Sequence, residues 1–288
     1  MMSREAKKER GISRVWDVSF MPGAGSHIRH GFVLEPGHWK EFDPFLVMME
    51  DWFQRGTFDY HPHRGLETIT FVIEGHLEHR DNHGGRGLLK PGDVQWMTAG
   101  RGIIHAEEPL EGETVHSLQL WLNLPRSKKM TEPRYQDLRS EEMPVRHEQG
   151  ALVRVFSGSS AGIKAKTLNH VPVTLVEINL KAGASVTQDL PGSYNGFIYV
   201  LEGNGYFGKD QTPGHQQQVL WLGKGKGAAE SEIVIRTDKG LRALLFAGEP
   251  ICEPVVARGP FVMNTEEEIR QAYEDYFAGK FGSKPPNH

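Results

Sequence analysis

The feature that most constrains this chain is that it repeats itself. Shifting it by 128 positions sets HPHRGLETITFVIEGHLEHR, from His61, against DLPGSYNGFIYVLEGNGYFG, from Asp189. Ile69 to Gly75 (ITFVIEG) then overlies Phe197 to Gly203 (FIYVLEG), and Glu74-Gly75 coincides with Glu202-Gly203. Each Glu-Gly pair ends an apolar run, which predicts a hairpin turn there. Farther on, at a slightly shorter offset, Met97-Thr98-Ala99-Gly100-Arg101-Gly102 loosely matches Trp221-Leu222-Gly223-Lys224-Gly225-Lys226. One module present twice accounts for these matches, and 288 residues are enough for two medium-sized cores.

The module is built of strands. FVLEP, FLVMMEDWF, ETITFVIEG, SLQLWLNL, VTLVEINL, GFIYVLEG and RALLFAGEP are short, rich in Ile, Val, Phe, Trp and Thr, and separated by Gly, Pro, Asn and Asp. Such a series predicts a sandwich, jelly roll or barrel. The charged stretch 125–150 reads as a connection, in which RYQDL forms a short helix or strand. Thr265-Glu266-Glu267-Glu268 fits a capping box, and Ile269, Ala272, Tyr273 and Tyr276 follow as the buried stripe of a helix. After Lys280, FGSKPPNH reads as a frayed tail.

The two copies part where chemistry is expected. His61-Pro62-His63 places two imidazoles at i and i+2, on one face of an extended strand. After the turn Gly100-Arg101-Gly102, His105 and Glu107 repeat that spacing. An antiparallel sheet that sets one pair opposite the other offers three imidazoles and a carboxylate, a donor set for a first-row transition metal and not for calcium or magnesium. The second copy has Asp189 and Pro191 in place of the first pair, and Ala229 and Ser231 where the carried-forward match places the other. Glu230 and Glu232 fall one residue out of register and read as a solvated strand face.

Other features carry blander readings. His76, His79 and His83 lie between turn signals and read as solvated. Trp96, Met97 and Trp121 read as core before they read as pocket lining. The GKGKG run at 223–227 lacks the spacing of a phosphate-binding loop and reads as a turn. A net charge of −4 with interspersed signs argues against direct nucleic-acid binding. The start MMSREAKKERGISRVW has no apolar run for a signal peptide or membrane span, and the single Cys252 cannot form an internal disulfide, so a cytoplasmic location is expected. Lys7-Lys8-Glu9-Arg10 is too short and mixed for a nuclear signal.

HPHRGLET, PGDVQWMTAGRGIIHAE, LQLWLNL and AGEPICEPVVARGPFVMNTEEEI resemble the pirin family of the cupin superfamily, over about Arg14 to Tyr276. The resemblance implies an all-β bicupin, two tandem cupin (jelly-roll) β-barrels with a short C-terminal helix. It divides the chain into a metal-binding barrel with its connector (1–145), a barrel without a metal site (146–263), and the helix and tail (264–288). It transfers the metal ligands to His61, His63, His105 and Glu107. The general cupin pattern nominates Glu67 instead, which is expected beside the site or as an occasional ligand.

One divalent first-row metal per chain is implied, iron(II) first, with manganese, nickel, cobalt, copper and zinc open. The implied function is a pirin-type dioxygenase opening flavonols such as quercetin with O2, with Glu107 taking the substrate hydroxyl proton. The alternative is a metal- or redox-sensing regulator acting through protein partners. The expected partners are a small aromatic substrate and O2, with a protein partner open, and neither nucleic acid nor membrane.

Overall fold

The computed structural model describes residues 7–23, 28–225 and 229–284. Strands dominate it, and they fall into two compact units, neither of which is a continuous stretch of chain. One unit comprises 1–18 and 142–250, the other 19–141 and 251–288. The linear division at 145 and 263 thus differs at both ends of the chain, for a reason visible in the pairing. Lys8–Glu9 pairs in parallel with Glu230–Arg236, and Ile12–Asp17 pairs antiparallel with Gln218–Leu222, so the first strands complete a sheet of the later copy.

In the unit containing 19–141, a seven-stranded antiparallel sheet runs in the order Arg134–Leu138, Val94–Thr98, Leu66–Glu74, Thr114–Asn123, Phe45–Gln54, Arg29–Leu34, Phe20–Pro22. RYQDL is therefore an edge strand. A second sheet of four strands runs His61–His63, Ile103–Pro109, Leu77–Asp81, Arg86–Leu89. In Thr114–Asn123 the pleat sends Leu118, Leu120 and Leu122 to one side, all with no exposed surface, and Ser117, Gln119 and Trp121 to a cavity on the other. Trp96 and Met97 are plain core, fully buried, whereas Trp121 lines the cavity.

The Glu-Gly pairs mark corners, not hairpins. Leu66–Glu74 belongs to the larger sheet and Leu77–Asp81 to the smaller one, so the chain changes sheets at Gly75. In the other unit Asn195–Phe207 stays one strand, but it pairs with Gly240–Gly248 up to Gly203 and with Thr212–His215 from Asn204. Gly75 and Gly203 have φ of +79° and +76°, and a Cβ there would lie 2.7 Å from the Thr114 carbonyl oxygen and 2.2 Å from that of Gly240. Only glycine fits so sharp a corner.

The C-terminal helix, Glu266–Phe277, has the expected capping box: Glu268 donates its backbone N–H to Thr265 Oγ1, and Thr265 donates its own to Glu268 Oε2. It buries Ile269 and Ala272 against Ile104, Phe261 and Met263, so it packs onto the strand that carries His105. Phe281 joins that cluster at 3% exposure, which corrects the reading of a tail frayed from Phe281 onward. The end of that tail, 285–288, and Lys226 and Gly227 of the GKGKG run lie outside the described residues.

The other unit has its own core, in which Val155, Ile178, Ile198, Phe207, Ile233 and Leu245 interdigitate from successive strands. There Glu230 is exposed, as expected, and Lys7 Nζ lies 3.4 Å from it and 3.8 Å from Asp189.

Candidate metal centre

Strand register brings the histidines together. His61–His63 pairs antiparallel with the start of Ile103–Pro109, so that His105 lies opposite His61 and Ile103 opposite His63. The three rings converge, with centroids 4.4 Å apart for His61 and His105, 4.9 Å for His61 and His63, and 5.1 Å for His63 and His105. One ring nitrogen of each lies within 4.8 Å of the others, close enough to hold a metal ion. Glu107 lies two residues beyond His105 on the same strand, past the end of His61–His63 and opposite His79 of Leu77–Asp81. By distance it groups with His105 and His79, so two triads share His105.

The imidazoles fit a metal. His61 and His63 each direct Nδ1 at a backbone carbonyl, of Asp59 at 2.8 Å and of Pro260 at 3.3 Å. A proton on Nδ1 leaves each Nε2 as a lone pair, the arrangement of a metal-ligating histidine. His63 Nε2 and both nitrogens of His105 are buried with no hydrogen-bond partner among the described residues. Burial, with His61 nearby, pulls His63 down to about 3, and burial with His61, His63 and His79 pulls His105 well below its ordinary value. Both are therefore neutral and available as ligands at physiological pH.

Glu107 is held from three sides. Gln119 Nε2 donates to Oε2 at 2.6 Å, while Gln95 Nε2 and Thr70 Oγ1 donate to Oε1 at 2.8 and 3.2 Å. Neutral amide and hydroxyl donors set its orientation. Glu67 is fully buried and accepts from Thr98 Oγ1 at 2.6 Å, and it belongs to neither triad.

His79 corrects a sequence expectation. It is 1% exposed, not solvated, because Leu77, His79 and Asp81 share the inward face of their strand. Its Nε2 lies 3.2 Å from Asp81 Oδ2, and its ring stacks on Tyr135 at 4.2 Å. Tyr135 in turn donates to Asp137, and burial together with that acidic neighbour raises its pKa far above the ordinary phenol value. The alternation of Leu77, His79 and Asp81 was the available sequence signal. His76 is half-buried and pairs with Glu113 at 3.0 Å, and His83 is exposed.

A cavity of about 380 Å³ opens onto His61, His63 and Glu107. Phe32, Phe53, Phe58 and Trp121 contribute aromatic walls, Trp121 standing edge-on to His63 at 5.0 Å between centroids. Asp51 also lines it. Burial, with like charge from Glu50 and Glu107, pushes the Asp51 pKa up to about 7. An apolar cavity of this size with a few convergent polar groups is the usual form of a small-molecule site.

Two-sheet barrels built from a duplicated module, one of them holding a cluster of histidines and glutamate on short strands, define a bicupin with a candidate metal centre. Residues 26–122 match the family model described as Pirin, and 175–282 that described as Pirin C-terminal cupin domain. This chain belongs to the pirin family. It is 42% identical to Pirin of Homo sapiens over 267 residues, 90% of this chain and 89% of that protein. A Geobacillus kaustophilus protein of known crystal structure is 57% identical, with a TM-score of 0.85 over 87% of this chain and 100% of that one. A quercetin 2,3-dioxygenase from Acinetobacter baumannii is 30% identical, with a TM-score of 0.82 over 95% and 99%.

Proposed function

We propose that this protein is a metal-dependent dioxygenase that opens hydroxylated aromatic substrates of the flavonol class. The observation that carries this reading is the aromatic-walled cavity onto which His61, His63 and Glu107 open, so that a planar ligand held there meets imidazole donors and a carboxylate. Likeness to a quercetin 2,3-dioxygenase over nearly the whole chain supports it.

His61, His63 and His105 would hold the ion, with Glu107 as the fourth ligand. A divalent first-row metal supplies Lewis acidity toward an acidic hydroxyl and a route for electrons to O2. Glu107 takes the substrate hydroxyl proton on a carboxylate oxygen, and the amides of Gln95 and Gln119, one on each oxygen, keep the carboxylate oriented. The apolar walls exclude bulk water and align the ring. Ring opening consumes one O2, places both oxygen atoms in the carbon products and releases one ring carbon as carbon monoxide.

The test is oxygen uptake and carbon monoxide release with quercetin, after metal-stripped protein is reloaded separately with iron(II), manganese, nickel, cobalt, copper or zinc. Turnover should require both metal and O2 and vanish in His105→Ala. Metal content should fall in His61→Ala, His63→Ala and Glu107→Gln but not in Glu67→Gln. No turnover with any metal across a flavonol panel would overturn the reading. Loss of metal from Glu67→Gln alone would move the carboxylate assignment.

A further inference from the structure

The inner face of Phe45–Gln54 turns Val47, Met49, Asp51 and Phe53 toward the cavity, every second residue as the pleat dictates. Three are apolar and the fourth is a carboxyl, in a residue only 8% exposed. The facing strand fixes where it stands. Val47 pairs with Trp121, Met49 with Gln119, and Asp51 with Ser117. Trp121 lies against His63, and Gln119 donates to Glu107. Asp51 and Ser117 therefore sit one pleat repeat, about 7 Å, farther along the same face, on the side away from Trp121.

Among the described residues, neither the Asp51 carboxyl nor the Ser117 hydroxyl makes a hydrogen bond. A carboxyl that faces a mostly apolar cavity with no protein partner is costly, and neither packing nor the Glu107 network uses this one. A ligand that reaches from the metal end to this point compensates the cost.

We propose that Asp51 is a specificity-determining residue, binding a hydroxyl on the outer part of the substrate ring system while the reacting hydroxyl lies at Glu107. The proposal rests on the flavonol-type reading of the cavity. A hydroxyl suits this carboxyl in either protonation state, donating to the carboxylate and accepting from the acid. An ammonium suits only the ionised form.

The test is anaerobic binding to metal-loaded protein, followed by calorimetry, so that affinity is read without turnover. Two probes are used: quercetin, which carries hydroxyls on its outer rings, and 3-hydroxyflavone, which carries only the reacting one. Asp51→Leu should weaken quercetin about tenfold and leave 3-hydroxyflavone unchanged or tighter. Asp51→Asn, which can still bond a hydroxyl, should recover most of the loss. Metal content and melting temperature, measured on each variant, separate this effect from misfolding. Equal loss for both probes, or none for quercetin, overturns the proposal while leaving the functional reading in place. If wild-type protein binds neither probe, both fall.

Discussion

Arg64 Nη1 lies 2.8 Å from Asp275 Oδ2, so the residue following His63 is ion-paired to the C-terminal helix. Arg64 Nε also donates to the carbonyl of Arg101, on the turn leading to His105, and its guanidinium covers the Phe281 ring at 4.5 Å. One buried arginine thus joins both histidine-bearing segments to the last helix. Residues 251–284 are in this sense part of the candidate centre's frame, although they are far from it in sequence.

Breaking this pair should destabilise the unit and alter its response to acid. Asp275→Ala leaves the Arg64 charge buried without its partner, at a cost of about 3 kcal/mol. Lys280 first, then Arg64 and Gln271, hold the Asp275 pKa at about 2, below its unfolded value of about 4. A depressed carboxyl contributes stability in full above its unfolded pKa and loses it as pH falls through the folded one. Wild type should therefore weaken more steeply than Asp275→Ala between about pH 4 and pH 2 in urea melts. Parallel slopes in that window would remove Asp275 from the account.

Much of this was legible in the sequence, and the failures have two causes. His61, His63 and His105 come together because two-residue spacing fixes strand faces, a local property that spacing can report. The groups around Glu107 were missed because Gln95 and Gln119 sit within the apolar runs VQWM and LQLWL, and a glutamine in a strand declares nothing until its inward face is known. His79 was misjudged for the same reason. The split termini are of another kind: that Arg10 belongs with Ser231, and Asp275 with Arg64, depends on pairings between distant segments. No periodicity encodes those pairings.

Gln119 should act on chemistry more than on stability. Its amide makes the shortest hydrogen bond to Glu107, at 2.6 Å, and Gln119→Leu keeps the size of the side chain while removing the donor. Loss of such a supporting contact around a metal ligand costs about 10- to 100-fold in affinity or activity. We expect that drop in metal affinity or in kcat, with a melting temperature close to wild type. Unchanged affinity and kcat would show that Gln95 and Thr70 suffice to hold the carboxylate.

Lys129 gives a second pH signature of the same sense, in the alkaline range. Its buried ammonium donates to the carbonyls of Gly65 and Val262 and to Asn123 Oδ1, each at 2.9 Å. Burial pulls it down to about 7, with Glu253 and Glu268 opposing. Between about pH 7 and its unfolded value of about 10.4 the unfolded chain holds a proton that the folded chain has released, so stability rises with pH across that window. Lys129→Met should flatten the rise and lower stability at neutrality, since three buried acceptors lose their donor. Urea midpoints from pH 6 to 10 decide it, and an equally steep rise in the variant would exclude Lys129 as its source.

The second copy of the module has put an arginine to work where the first has its candidate ligands. Arg10 is 2% exposed, and its Nε donates to Ser231 Oγ at 2.8 Å while Nη2 donates to the Pro191 carbonyl at 2.6 Å. Pro191 and Ser231 are the positions that the repeat sets against His63 and Glu107. Nη1 adds a bond to the Tyr194 carbonyl at 2.7 Å, so the guanidinium ties the chain's first strands to the turn at 191–194 and to the strand Glu230–Arg236. Burial lowers its pKa to about 10, which leaves it charged at neutrality. Arg10→Met strands several buried acceptors and should cost about 3 kcal/mol. Arg10→Lys should recover only part of this, because an ammonium lacks the planar fork that reaches Ser231, Pro191 and Tyr194 together. Metal content per chain should stay at the wild-type level in both variants, since the candidate ligands belong to the other unit. A fall in metal content without loss of stability would contradict a purely structural role for Arg10. A methionine variant as stable as wild type would show that the second copy holds together without the arginine.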